Sequence, residues 1–305
     1  TLKTELGMNK TDLCTFMSGG VAAAISGDAA KAQAFWAGVG TLKTEWGMTK
    51  TDLCTFMSNS VAAAISGDAA KAQAFWAGVG TLKTEWGMNK TDLCKFMSGG
   101  VASAISGDAA KAQAFWDGVG TLKTELGMTK TDLCTFMSDG VAAAISGDAA
   151  KAQAFWAGVG TLKTEWGMTK TDLCKFMSDG VAAAISGDAA KAQAFWAGVG
   201  TLKTEWGMTK TDLCKFMSSS VAAAISGDAA KAQAFWAGVG TLKTELGMNK
   251  TDLCTFMSGG VASAIGGDAA KAQAFWAGVG TLKTELEMTK TDLCTFMSGG
   301  VAAAI

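Results

Sequence analysis

Cysteine recurs every 40 residues, eight times from Cys14 to Cys294, and is the most reactive side chain the sequence offers. Such a ladder could form cross-links or hold a soft metal. The chain has no C-x-x-C pair and no staggered spacing of a small disulfide scaffold. Units stacked about 10 Å apart exceed the ~7 Å Cα separation a disulfide spans, so a bridge would have to join different chains. Free cysteine is commonly buried and inert, and Cys14 and its equivalents are read as core thiols.

Histidine is absent, which excludes a Ser-His-Asp triad, a Cys-His pair and histidine metal ligands. The carboxylates Glu5, Asp12 and Asp28 recur from copy to copy, yet none has a partner in sequence for acid–base work. "GVGTLK" at Gly38 to Lys43 echoes a glycine-rich phosphate loop. It lacks a preceding strand, the G-x-x-x-x-G-K-[ST] spacing and a third glycine, and close helix packing explains it better. Asn9, Asn89 and Asn249 begin N-K-T sequons, but Thr49 and Thr129 hold the same place elsewhere. Both residue types cap helices, so capping accounts for the position. Phe35 and Trp36 could stack on bases, but no basic groove accompanies them. No enzyme activity, cofactor or metal is expected.

The totals narrow the partners. Net charge is −1, which argues against a strongly basic nucleic-acid binder and leaves little self-repulsion against association. Apolar residues make up 49% of the chain, enough for a core. No run of 18 apolar residues occurs, so no membrane span is expected.

The elements that must position these residues follow from the repeat. Thr1, Thr41, Thr81, Thr121, Thr161, Thr201, Thr241 and Thr281 all open "TLKTE", and a 40-residue period signals a repeat architecture. It lies near the HEAT and armadillo range without their signature residues. The units run 9–48, 49–88, 89–128, 129–168, 169–208, 209–248 and 249–288, with partial units 1–8 and 289–305, as a single repeat array over 1–305.

In unit 9–48, Asn9 is a helix N-cap with Asp12 at the third helical position. The first helix is expected from Lys10 to Ser26, with Gly27 as its left-handed terminator. Asp28 then caps a second helix from Ala29 to Trp46, which Gly47 closes. Substitutions between copies support the first helix. They fall at the places of Thr15 (Lys95, Lys175, Lys215), Gly19 (Asn59, Asp139, Ser219), Ala23 (Ser103, Ser263) and Ser26 (Gly266). Those offsets form one stripe at 3.6 residues per turn, and Ser60 and Ser220 at Gly20's place widen it. Leu13, Cys14, Met17, Val21, Ala24 and Ile25 lie opposite as the expected buried face.

In the second helix, Ala32, Phe35, Val39, Leu42 and Trp46 follow a 3-4-3-4 spacing, the seam of a packed helix pair. The other side is unusual. Ala30, Gln33, Ala34, Ala37, Thr41 and Thr44 carry no charge, where a solvated face normally shows several. Small residues there would let another backbone approach closely, and Asp117 at Ala37's place marks the rim of such a contact. Gly38 and Gly40 each cost about 1 kcal/mol against Ala in an exposed helix, so this helix is expected to be buried on more than one side.

The fold expected is all-α: tandem 40-residue αα-hairpins stacked as an α-solenoid or helical fibre. The function expected is that of a structural protein that self-assembles into a filament, sheet or tube, with the chain itself as partner. Ala30, Ala34, Ala37 and Thr41 are the candidate assembly interface. The alternative is a solenoid scaffold that binds a peptide or protein partner.

Overall fold

The structure, a computed structural model, describes residues 4, 6–217 and 221–298. Glu5, Ser219, Ser220 and residues 299–305 lie outside that set, as do the side chains of Asn59, Ser60 and Asp139. The chain is an all-α tandem-repeat solenoid, and no strand occurs among the described residues. It divides into two compact units, 1–153 and 154–305, both built from one helical motif.

That motif starts with a reciprocal cap. The Asn9 side chain accepts the Asp12 N–H at 2.8 Å, and the Asp12 carboxylate accepts the Asn9 N–H at 2.9 Å. Thr49 and Asp52 form the same box. Asn9, Asn89 and Asn249 are therefore caps, each worth about 1 kcal/mol.

The first helix is not the continuous rod expected over Lys10 to Ser26. It runs Lys10–Phe16, passes through a wide turn at Met17–Val21, and resumes over Ala22–Ile25. Gly20 has φ +84°, a left-handed conformation that side chains other than glycine rarely adopt. In the third copy Gly99 has ψ 21° and Gly100 φ 84°. The break offsets the two halves, so helical phase read from Val21 does not extend back to Cys14. Leu53, Phe56 and Met57 fill the core before the break, and Val61, Ala62, Ala64 and Ile65 after it. Cys14 is exposed and the other seven thiols are half-buried, which corrects the core-thiol reading. Phe16, absent from the expected face, is fully buried.

The corner also differs in detail. The short helix stops at Ile25, Ser26 is extended at ψ 149°, and Asp28 caps the long helix through the Lys31 N–H. That helix spans Ala29–Thr44, two residues short of Trp46. Nested bonds from Gly47 N–H to Lys43 O and from Met48 N–H to Leu42 O, both 3.1 Å, close its end. Gly47 has φ +62°, and in the last copy Glu287 holds the same bend at φ 51°. The terminator is left-handed even there, which strains a residue with a Cβ by about 1–2 kcal/mol. Glu287→Gly is accordingly expected to raise stability by about 1 kcal/mol, read as a higher urea midpoint with unchanged slope.

Successive long helices pack side by side within each unit. Of the expected seam residues, Ala72, Phe75, Val79, Leu82 and Trp86 are buried, as are Phe35, Val39, Leu42 and Trp46 one copy earlier. Ala32, in the first full copy, is half-buried. The main bond between copies is the tryptophan that follows Phe35 and its equivalents. Trp76 lies against the Gly38 backbone so closely that a Cβ on Gly38 would sit 2.1 Å from the indole. Gly78 and Trp116, Gly158 and Trp196, Gly198 and Trp236, and Gly238 and Trp276 repeat the contact at 2.0–2.1 Å. Trp76, Trp116, Trp236 and Trp276 each meet phenylalanines of two copies edge-on: Trp76 lies 5.0 Å from Phe75 and 6.4 Å from Phe35, centroid to centroid. These geometries add to the area buried.

Candidate functional site

The uncharged side of the long helices faces out of the solenoid. Ala70 and Ala77 are exposed, and Ala74 and Thr81 are half-buried; Ala30 and Ala37 are exposed, and Ala34 and Thr41 half-buried, in the copy before. Among the described residues no second row of helices covers this side. Its small side chains leave hollows between neighbouring long helices. In the second unit one such groove, open and of ≈ 540 Å³, is lined by Ala190, Ala194, Ala197 and Thr201. These four are the counterparts of Ala30, Ala34, Ala37 and Thr41, so one groove wall collects all four candidate interface positions. Gln193 and Gln233 stand on its rims, and Trp236 and Gly240 of the next copy close the far wall.

The two helix glycines now separate. Gly38 accommodates tryptophan, as described. Gly40 and its six equivalents have open space where a Cβ would stand, with nothing within 4 Å. "GVGTLK" lies wholly inside the helix Ala29–Thr44, so it forms no phosphate loop.

A second, polar hollow of ≈ 160 Å³ lies between successive first helices and is lined by Asp212, Lys215, Lys250, Thr251, Cys254, Thr255 and Ser258. Burial pushes the Cys254 thiol above its ordinary pKa, as it does for Cys54, Cys94 and Cys214. These thiols are held protonated at neutral pH and are poor nucleophiles. No group of three or more metal-ligating side chains occurs among the described residues.

An ion-pair ladder bridges these same first helices. Lys50 reaches Asp12 of the preceding copy at 2.8 Å, Lys90 reaches Asp52 and Lys130 reaches Asp92, both at 2.7 Å. The second unit repeats it with Lys210–Asp172, Lys250–Asp212 and Lys290–Asp252 at 2.7–2.8 Å. The lysine hydrogen bond, with the capping backbone and hydroxyl donors, holds Asp52, Asp172 and Asp212 down to about 2. Sequence reading assigned Asp12 to the cap alone. Its second role has no signal within one repeat, because the partner lies 38 residues away.

Where the seam residue is tryptophan, a lysine near the end of the next copy's long helix covers it. Lys83 Nζ lies 5.2 Å from the Trp46 ring, and Lys123 stands likewise over Trp86. Trp46 and Trp86 are buried, whereas leucine in that place is only half-buried at Leu126 and Leu246.

Helical-repeat solenoid is the class that fold and surface define. No protein-family model matches the chain, and no curated protein matches it significantly. No described helix is long and apolar enough to cross a membrane.

Proposed function

We propose that this chain is a structural repeat protein that assembles with copies of itself through the outer face of its long helices. The observation that carries the reading is the uncharged, small-residue groove wall formed by Ala190, Ala194, Ala197 and Thr201. Charged side chains keep a permanently solvated helix face soluble, and along Ala190, Ala194, Ala197 and Thr201 this face has none; Glu205, just past the helix end, is the charged residue lining the groove. Periodicity favours a second copy as the occupant. Ridges of a partner enter successive grooves only if they share the same spacing, and a copy of the chain has that spacing by construction. Identical surfaces on identical units suit regular association, and a heterologous contact that does not close extends into a filament. The reading assigns no catalysis to the chain.

Asp117 supplies the test. It replaces Ala37's residue type in the third copy, stays exposed, and sits in an intact helix, Ala109–Thr124. A carboxylate at this position is therefore compatible with the fold. Ala77→Asp with Ala157→Asp and Ala197→Asp is expected to leave the helical circular dichroism and melting temperature within a few degrees of wild type. Association measured by sedimentation velocity is expected to fall at least tenfold. Unchanged association in the folded variant would reject the outer face as the interface. Monomers in both proteins, together with stoichiometric capture of an extended peptide, would favour the scaffold alternative.

A further inference from the structure

Six of the seven corners between short and long helix are closed by a buried lysine; Lys271 at the last corner is exposed. Lys31, Lys71, Lys111, Lys151, Lys191 and Lys231 are all at most 6% exposed. Lys31 Nζ donates to Ser26 O at 2.7 Å and to Ala23 O at 3.0 Å at the end of the short helix, where Ala23 O also accepts the Ser26 hydroxyl at 3.0 Å. Lys71 donates to Ser66 O, and to Ala63 O at 3.3 Å. Lys111 donates to Ser106 O, and to Ser103 O at 3.4 Å. The lysine stem packs on the corner glycine: a Cβ on Gly67 would lie 2.9 Å from Lys71 Cδ.

Lys71 and Lys111 form no ion pair among the described residues, so their acceptors are neutral carbonyls. The charged groups facing Lys71 are Asp68, Lys31 and Asp108, and those facing Lys111 are Lys151, Lys71, Asp108 and Asp148. Asp228 and Asp268 face Lys231. In the first unit these lysines thus face both other lysines and capping aspartates. Burying an ammonium group without a close counter-ion is costly, whereas a neutral amine keeps two N–H donors for the same two carbonyls.

We propose that Lys71, Lys111 and Lys231 act as a proton-controlled latch: their corners hold most tightly when these side chains are neutral and loosen when they are ammonium ions. Burial, the largest cause, lowers the affinity of Lys71, Lys111 and Lys231 for the proton below the usual value of 10.5. The unfolded chain then binds more protons than the folded one, and stability rises with pH until the ordinary lysine value is passed. The half-buried thiols act in the opposite direction, since their pKa values are raised. A comparison that leaves the thiols unchanged isolates the lysines.

The experiment is urea unfolding of the full chain, under reductant, from pH 7.5 to 10.5, beside Lys71→Gln with Lys111→Gln. The wild-type folding constant is expected to gain on the variant's by about tenfold per lysine for each unit its pKa is lowered. A wild-type to variant ratio independent of pH, or one that falls with pH, would overturn the latch. If the variant does not fold, NMR titration of wild-type protein labelled at lysine Cε decides. The latch requires the buried lysine signals to titrate below those of exposed lysines, and titration at or above the exposed values rejects it.

Discussion

Gly78→Ala is expected to destabilise the first unit by about 3 kcal/mol, at the upper end of overpacking costs in a filled core. The added methyl would lie 2.1 Å from Cδ2 and Cε2 of Trp116, in the body of a rigid ring. Trp116 is buried and sits edge-on to Phe75 and Phe115 at 6.5 and 5.1 Å, so it has no free direction in which to withdraw. Relief requires the two long helices to separate, which opens the seam between copies. Gly80→Ala, two residues along, provides the control. Its Cβ meets nothing within 4 Å, and the change is expected to stabilise the helix by about 1 kcal/mol through propensity alone. Opposite shifts in the urea midpoints of the two variants check the packing account. A loss at both positions, or at neither, contradicts it.

Acid is expected to dissolve the repeat-to-repeat ladder between pH 4 and pH 2. Asp52, Asp172 and Asp212 are depressed to about 2 from 3.8, first by the next copy's lysine and then by the cap donors. A depressed carboxylate stabilises the fold fully above its unfolded pKa, and that stability is lost as pH falls toward the folded value. The pairs are partly exposed, with the lysines about 40% accessible, so the Asp52, Asp172 and Asp212 rungs contribute about 0.5–1 kcal/mol each after screening. The rungs are lost together within each unit, and protonation also weakens the reciprocal bond from the cap residue's N–H to the same carboxylate. Helical signal at 222 nm should hold at pH 5 and collapse below pH 4, with Lys50→Met and Lys90→Met shifting the transition upward. Retention of full helicity at pH 2 contradicts the ladder's role.

Much of the fold was legible because a repeated chain supplies its own comparisons. The 3-4-3-4 spacing from Ala32 to Trp46 picked out residues that are mostly buried, and Asn or Thr before Lys-Thr-Asp marked the caps. Local pattern failed where the backbone left the helix without leaving the helical sequence. Gly19 and Gly20 look like tolerated glycines on a variable stripe, yet Gly20 at φ +84° divides the helix and moves Cys14 out of the core. Contacts between copies were hidden for a different reason. Trp76 against Gly38 and Lys50 against Asp12 join residues 38 apart, and no periodicity within one unit reports them. Lys31 could have been noticed, since it lies one turn before Phe35 on the buried face. The small residues of the outer face were legible from composition, and the groove in the second unit is lined by Ala190, Ala194, Ala197 and Thr201, the counterparts of Ala30, Ala34, Ala37 and Thr41.

The most direct test of self-assembly is negative-stain electron microscopy of the full chain across a concentration series at neutral pH, paired with sedimentation. Ordered filaments, sheets or tubes that disappear in the Ala77→Asp, Ala157→Asp and Ala197→Asp variant are the predicted result. Discrete wild-type particles that sediment as the 31.1 kDa monomer at the highest concentration would contradict it.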